Sequence, residues 1–267
     1  MSERENEQRR ELADFLRAKR QRVVRSDLGL SDFGGRKPVG LRREEVSVLA
    51  GISVTWYTYL EQARKVNPSK QVLMALANNL QLSASERDYL LRLAGYLDGE
   101  LDDFPSRAPD HLVNLINGLS SQPAFILGFN WDVIAWNDAY RMLYPPIESD
   151  QHQRPNLLRS VFCDPYIRSL LPDWELQARR FLAQFRAEVA SDVAHPLVKT
   201  IVTEISAQSN FFAQWWQEHD IESFQSTRRY FDHPQAGTLV FDYHRLNPTD
   251  YPQLHVVIYS PVVVVPK

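Results

Sequence analysis

Residues 41–65 of the chain read LRREEVSVLAGISVTWYTYLEQARK, and this stretch decides the fold of the N-terminal half. It predicts two short helices, Leu41–Ala50 and Val54–Gln62, with Gly51 breaking the first and Ser53 capping the second. Small residues at the break allow the two helices to approach closely, which is typical of a helix-turn-helix. We expect the core between the two helices to consist of Val46, Leu49, Tyr57 and Leu60.

The second helix is predicted to expose short or polar side chains suited to the floor of the DNA major groove, with arginines nearby for phosphates. The candidate DNA-binding residues are Arg42, Arg43, Ser53, Val54, Thr55, Thr58, Tyr59, Gln62 and Arg64. On this interpretation Arg43→Ala weakens binding to all DNA and lowers its salt dependence, whereas Tyr59→Ala changes sequence preference. The alternative is a helix pair with a purely structural role.

The charge distribution favours contact with a polyanion at one end of the chain. Residues 1–96 contain 17 Lys+Arg and 12 Asp+Glu, a net charge of +5. Residues 97–267 contain 13 Lys+Arg and 21 Asp+Glu, a net charge of −8. A basic N-terminal part on an acidic body indicates a nucleic-acid partner, although a solvated charged helix has the same composition.

Changes in pattern predict two domains joined by a linker. Residues 1–96 predict helices with a glycine-containing loop at 26–40, and the acidic, proline-containing stretch 97–108 predicts the linker. Residues 109–267 predict a mixed α/β domain, with short strands near residues 124–136, a helical middle and two strands after residue 236. We therefore expect one antiparallel sheet closed by strands from both ends of this domain.

Aromatic residues are dense in the second domain, as in the lining of a pocket for an apolar ligand. The candidate ligand-binding residues are Phe125, Leu127, Trp136, Tyr140, Trp174, Phe181, Trp215, Arg229 and Phe241. Arg228 and Arg229 could bind a carboxylate. The alternatives are that the rings are ordinary core and the arginines solvated, and the sequence leaves open whether a pocket is open or filled.

The sequence carries no catalytic or metal-binding pattern. There is no GxGxxG, P-loop, HExxH or GxSxG motif, and the single Cys163 rules out an internal disulfide. His219-Asp220 resembles a metal dyad, but no second histidine group supports it, so we expect His219 to be a surface or capped side chain. With no stretch of 18 apolar residues and no signal-like N-terminus, we expect a cytoplasmic protein. Because the catalytic and metal-binding motifs are missing, we expect that it is not an enzyme and needs no cofactor or metal.

The helix-turn-helix segment resembles the xenobiotic-response-element (XRE) family, to which phage repressors belong. LRREEV, WYTYLEQ, ERDYLLRLAG, ILGFNWDVIAWN, CDP, DWE and RYFDHPQAGTL together resemble one subfamily, whose C-terminal half is called the MmyB-like ligand-binding domain. The resemblance implies a lambda-repressor-like all-α domain, a PAS-like C-terminal domain, a phosphate contact by Arg43 and base contacts by Val54 and Thr55. Ala63 replaces the glycine that members have after the second helix, which leaves open whether this helix ends there or runs on.

Three functions follow, in decreasing order of support. The first is a bacterial transcription regulator that binds operator DNA as a homodimer and senses a small apolar or amphiphilic effector, which the resemblance suggests is a fatty acid. The second is a helical protein-interaction module with a dimerisation domain and no ligand. The third is an enzyme tethered to DNA, which the missing motifs disfavour. The operator, the effector, the sign of regulation and the dimer geometry are not encoded in any motif.

Overall fold

The computed structural model describes residues 3–30, 40–96, 107–148, 154–225 and 228–262. These residues form two compact units, the first of which contains Met1–Glu100 together with Arg186–Lys199 and Gln217–Ser223. The remaining segments form the second unit. The two-domain organisation is confirmed, whereas the boundaries 1–96 and 109–267 stay a prediction. Most of the predicted linker 97–108 and of the predicted loop 26–40 lies outside the described residues.

The first unit is built mainly from helices. They are α1 (Glu3–Arg22), α2 (Arg43–Ala50), α3 (Val54–Glu61), α4 (Lys70–Asn79) and α5 (Ala84–Leu93). The serines at 53, 69 and 83 begin α3, α4 and α5, each accepting a hydrogen bond from a backbone N–H three residues later at 3.1–3.3 Å. The Glu86 carboxylate accepts from the Ser83 N–H at 2.8 Å, which completes a capping box.

The core of the first unit forms where these helices meet. Val46, Tyr57 and Leu60 are buried as predicted, against residues from α1, α4 and α5. Leu49 was expected in this core, but it is 37% exposed. The buried residues of α2 are Val46 and Ser47, so its inward face is centred between them, and at about 100° per residue Leu49 lies about 110° away from that direction.

The second unit combines a sheet with helices. Its helices are α6 (Asp110–Asn117), α7 (Asp138–Leu143), α8 (Leu157–Cys163), α9 (Pro165–Leu170), α10 (Trp174–Glu188), α11 (Pro196–Gln208) and α12 (Asn210–Trp216). Its strands are β1 (Ala124–Leu127), β2 (Val133–Trp136), β3 (Arg228–His233), β4 (Gly237–Leu246) and β5 (His255–Pro261). The last residues of α10 and the first residues of α11 belong to the first unit.

The strands form one antiparallel sheet in the order β2-β1-β5-β4-β3. Because β1 pairs with β5, strands from both ends of the domain close the sheet, as predicted. One face packs on α6 through Ile126, Val256 and Ile116. The other face carries the aromatic residues.

Asn137, at the start of α7, joins three parts of the second unit. Its side-chain oxygen accepts hydrogen bonds from the N–H groups of Ala124 in β1 and Tyr140 in α7, at 3.0 and 2.9 Å. Its amide nitrogen lies 2.9–3.0 Å from the carbonyl oxygens of residues 116, 119 and 122. A buried amide with this many partners fixes the geometry around it.

Candidate functional site

The turn between α2 and α3 gives the helix pair its geometry. Gly51 ends α2 with a φ of +67°, in the left-handed region that favours glycine. The N–H of Gly51 bonds to the carbonyl of Val48, and the N–H of Ile52 bonds to that of Ser47. Ser53 then begins α3, so three residues separate the two helices.

The predicted DNA-binding residues all lie at positions that solvent reaches. Arg42, Ser53, Val54, Thr55, Gln62 and Arg64 are exposed, and Arg43, Thr58 and Tyr59 are half-buried. The guanidinium of Arg64 lies over the Tyr59 ring, with its central carbon 4.7 Å from the ring centroid. The structure therefore leaves the first turn of α3 open for base edges, with a stacked aromatic–arginine pair at its far end.

Arg43 is held by a buried carboxylate. The Glu61 side chain is fully buried and accepts hydrogen bonds from the Nε atoms of Arg20, at 2.5 Å, and Arg43, at 2.6 Å. The Arg43 side chain stays 40% exposed. Burial alone would raise the pKa of Glu61, but the two guanidinium groups lower it below its ordinary value. Glu61 thus fixes the start of α2 against α1 and α3 and orients the residue predicted to contact phosphate.

Helix α3 ends in a left-handed cap although Ala63 replaces glycine. The helix stops at Glu61, and Ala63 has a φ of +54°. The N–H of Ala63 bonds to the carbonyl of Leu60, and that of Arg64 to the carbonyl of Tyr59, the two bonds of a Schellman motif. The helix therefore does not run on, and Ala63 adopts a conformation that costs about 1 kcal/mol or more for a residue with a Cβ.

Among the predicted ligand-binding residues, several meet on the aromatic face of the sheet. The rings of Phe125 and Tyr140 have centroids 4.4 Å apart, and Tyr259 lies 6.1 Å from Phe125 and 5.9 Å from Phe241. Phe181 of α10 lies beside Arg229 on the same face, and Leu127 is buried in β1. These rings therefore lie within contact distance of one another on this face.

The other predicted ligand-binding residues lie elsewhere. Trp174 and Trp215 belong to a separate aromatic cluster with Phe162, on helices α8, α10 and α12. Trp136 is half-buried on β2, at the edge of the sheet, although its backbone pairs with that of Phe125. The nine predicted residues are therefore distributed over the sheet face, the sheet edge and the helical cluster, and their role in ligand binding stays a prediction.

Arg229 is the unusual group of the aromatic face. Its side chain is 3% exposed, and its guanidinium lies 5.1 Å from the Phe181 ring and 5.0 Å from the Tyr243 ring. One terminal nitrogen donates to the Gln177 side-chain oxygen, and Nε is buried without a hydrogen-bond partner. Within the described residues no carboxylate pairs with Arg229, whereas the neighbouring Arg228 is 58% exposed and pairs with Asp242 at 3.4 Å.

Two stretches of the chain match two known kinds of domain. Residues 108–263 match the model of the MmyB-like transcription regulator ligand binding domain, and residues 11–90 match that of a helix-turn-helix domain. The chain belongs to the MmyB-like transcription regulators. No curated protein matches it significantly. The MmyB-like regulator therefore combines a DNA-binding domain with a ligand-binding domain, and both matches agree with the prediction that it is not an enzyme.

The DNA-binding domain of this MmyB-like regulator contains residues that sequence reasoning missed. Arg20 and Glu61 were not among the candidates, nor was Arg17, which donates to the Glu61 carbonyl oxygen at 2.7 Å. A signal was present, because Glu61 falls four residues after the inward-facing Tyr57 and so lies on the buried side of α3. A carboxylate at such a position needs a cation close by.

A surface cavity of about 260 Å³ lies in the ligand-binding domain, apart from Arg229. Among its lining residues are Tyr144, Arg159 and the half-buried Cys163. Arg159 pairs with Glu204, and the Tyr144 hydroxyl donates to Asp164. No helix in the described part of the MmyB-like regulator is long and apolar enough to cross a membrane.

Proposed function

We propose that this MmyB-like regulator binds operator DNA with the first turn of α3 in the major groove. The observation that carries the proposal is the exposure of Ser53, Val54 and Thr55 at the start of a capped helix, with Arg42 and Arg43 beside it. The N-terminal residues of a recognition helix contact base edges in this class of domain. A regulator that acts on the bacterial chromosome works in the cytoplasm, where that DNA is.

The DNA-binding form is a homodimer in this proposal. One recognition helix contacts too few base pairs to find a site among the many competing sequences of a genome. Two copies related by a two-fold axis would contact two half-sites one helical turn apart. A palindromic operator with half-sites spaced by about 10 base pairs is therefore expected.

DNA binding can be tested on the full chain with duplexes selected from a random pool. Arg42→Gln removes an exposed cation and is expected to reduce the salt slope of log K by about one unit on every sequence. Tyr59→Ala is expected to change the preferred sequence instead. Equal losses from both variants on all duplexes would contradict these roles. No salt-dependent binding at all would favour the protein-interaction module.

The effector is an amphiphile with a carboxylate, such as a fatty acid, and Arg229 is its anchor. A buried cation costs several kcal/mol unless a carboxylate or several hydrogen bonds compensate it. Arg229 has one hydrogen bond and two ring contacts, and its Nε is unpaired. A carboxylate can pair with a guanidinium at two positions at once, which would satisfy that nitrogen.

Because the rings of the aromatic face contact one another, the effector in this proposal binds a conformation in which some of these rings have moved. Such a conformation is a minor state without effector, and binding shifts the population toward it. The apparent affinity is then reduced by the fraction of molecules in the competent state. We therefore expect weak binding of short chains and stronger binding as chain length adds buried methylene groups.

The anchor can be tested by calorimetric titration with dodecanoate, using dodecanol as the uncharged probe. Arg229→Met is expected to weaken dodecanoate binding at least about 30-fold, since losing one partner of a buried charge pair costs about 2 kcal/mol or more. Arg228→Met, next to it on β3 but exposed, is the matched control and should leave affinity unchanged. Equal binding of dodecanoate and dodecanol, with no effect of Arg229→Met, would rule out the anchor.

A further inference from the structure

A buried ionic cluster lies in the first unit, away from α3. At its centre, Oε1 of Glu11 in α1 accepts a hydrogen bond from the Tyr89 hydroxyl of α5 at 2.6 Å and forms an ion pair with Arg186. Nδ1 of His219 lies 3.1 Å from the same Oε1 and 3.0 Å from a terminal nitrogen of Arg186. Arg186 and His219 are both buried, so of the two predicted alternatives for His219, a surface or a capped side chain, the surface one is wrong.

The cluster holds Glu11 in its charged form. Burial alone would raise the pKa of Glu11, but the His219 hydrogen bond, the positive charge of Arg186 and the Tyr89 hydroxyl lower it to about 2. The ion pair with Arg186 is therefore intact throughout the physiological pH range. A buried pair of this kind is sensitive to displacement, because separating the charges leaves both of them buried and unpaired.

The members of the cluster come from both matched families. Glu11 and Tyr89 lie in the helix-turn-helix match, whereas Arg186 and His219 lie in the ligand-binding match. All four nevertheless belong to the same compact unit. Apolar packing supports the arrangement, since Ala190 is fully buried in the core that α1 and α5 share. Two segments of the ligand-binding sequence thus complete the unit that carries α3.

Helix α10 carries residues that contact Arg229 in its first half and one residue of the ionic cluster near its end. Gln177 hydrogen bonds to Arg229, and Phe181 lies against the Arg229 guanidinium. Arg186 is nine residues after Gln177 on the same unbroken helix, about 13.5 Å along its axis. A helix of this length moves as a rigid element, so a shift at Gln177 displaces Arg186 as well.

We infer that α10 transmits effector occupancy to the DNA-binding domain: binding at Arg229 displaces α10, and Arg186 carries the displacement through Glu11 to α1. The inference rests on the proposed function, since it assigns the route by which the Arg229 site controls DNA binding. A small displacement is enough, because packed cores and buried ion pairs switch between discrete arrangements instead of deforming continuously.

Hydrogen–deuterium exchange of the full chain, with and without dodecanoate, tests this route. In the wild type, dodecanoate is expected to change exchange in β3 and α10 and also, by about 5-fold or more, in α1. In Glu11→Gln the change in α1 should disappear, while the changes in β3 and the first turns of α10 remain. Arg186→Lys keeps the positive charge but not the geometry of the guanidinium group. It provides a second test of the route should Glu11→Gln fold poorly.

Asp220→Asn is the matched control. Asp220 pairs with Arg22 of α1 at 2.5 Å, next to His219 in sequence, but both side chains of this pair are nearly half exposed. An exposed pair contributes little, so this variant should keep the wild-type response in α1. Loss of the response in Asp220→Asn as well would show that any change at these segments has the same effect, and would overturn the specific role of Glu11.

The possible results separate this inference from the proposed function. If dodecanoate changes exchange in β3 and α10 but not in α1, the effector site stands and the transmission is wrong. If dodecanoate changes nothing, the effector proposal fails, and Gln177→Ala then serves as the perturbation, with exposed Leu176→Ala as its control. A change in α1 exchange with Gln177→Ala alone supports transmission, and a change confined to β3 and α10 overturns it.

Discussion

Replacing Glu61 with glutamine removes the negative charge that joins α1, α2 and α3 while keeping the size of the side chain. In the wild type the carboxylate lies between two guanidinium groups, with Arg20 bonded through two nitrogens at 2.5 and 3.2 Å and Arg43 through one at 2.6 Å. Glutamine offers one acceptor oxygen instead of two charged ones. Glu61→Gln therefore leaves two cations facing each other across a neutral, buried amide.

The expected loss of stability is about 3 kcal/mol. Removing one partner of a buried ion pair costs about 3–5 kcal/mol, because the other charge is left uncompensated. The lower end applies to Glu61→Gln, since the Arg43 side chain is 40% exposed and water can solvate part of its charge. Such a loss is a large fraction of the stability of an ordinary domain, which is about 5–15 kcal/mol.

Native-state hydrogen exchange of the α3 amides is the suitable assay, because a two-unit chain need not unfold in one step. A loss of about 3 kcal/mol would speed exchange of the most protected amides by about 100-fold. Glu44→Gln is the control, since Glu44 is exposed in the first turn of α2 and should cost at most about 1 kcal/mol. If Glu61→Gln changes exchange no more than this control, the carboxylate does not organise the helix pair.

Three further predictions concern stability. Ala63→Gly should stabilise the first unit by about 0.5–1 kcal/mol, seen as slower exchange in α3, because glycine has no Cβ penalty at a φ of +54° but loses more entropy on folding. Asn137→Ala should cost the second unit about 3 kcal/mol or more in the same assay, since it leaves several buried backbone groups unpaired. The pKa values of Glu11 and Glu61 are lowered by folding, so their contribution is fully present above about pH 4.5 and is lost as the pH falls, toward about 2 for Glu11. Acid titration followed by exchange or circular dichroism should show this loss in the wild type and a weaker pH dependence in Glu11→Gln; equal slopes would contradict it.

Local signals in the sequence were sufficient to predict the helix-turn-helix. Serine caps, the capping box at Ser83 and the break at Gly51 act within four residues, so each can be recognised without knowing the fold. The replacement at Ala63 left the end of the second helix undecided, because a second determinant of that end is not visible in the sequence. The backbone bonds of the Schellman motif hold an alanine in the left-handed region in spite of its Cβ.

Long-range contacts were not predictable in the same way. Arg186 and His219 are 175 and 208 residues from Glu11, and no spacing rule connects positions so far apart. Strand β3 was missed for a related reason, since the charged residues in Arg228–His233 lower its strand propensity and only pairing with β4 makes it a strand. The aromatic residues were correctly recognised as a dense group, but composition does not tell a lined pocket from a packed core.

Buried charges are compensated by opposite charges in the first unit, whereas the buried Arg229 of the second unit is not, and this difference bears on function. In the first unit the buried carboxylates of Glu11 and Glu61 each meet cations, as folding stability requires. In the second unit Arg229 is also buried, at 3% exposure, yet it is left with a neutral amide and two rings. A purely structural role would be served as well by an apolar side chain of similar volume, without the cost of burying a charge. In the proposed function an anionic ligand supplies the compensation that the described residues of the chain do not, and for this reason we place the proposed effector site at Arg229 rather than at any one of the aromatic residues around it.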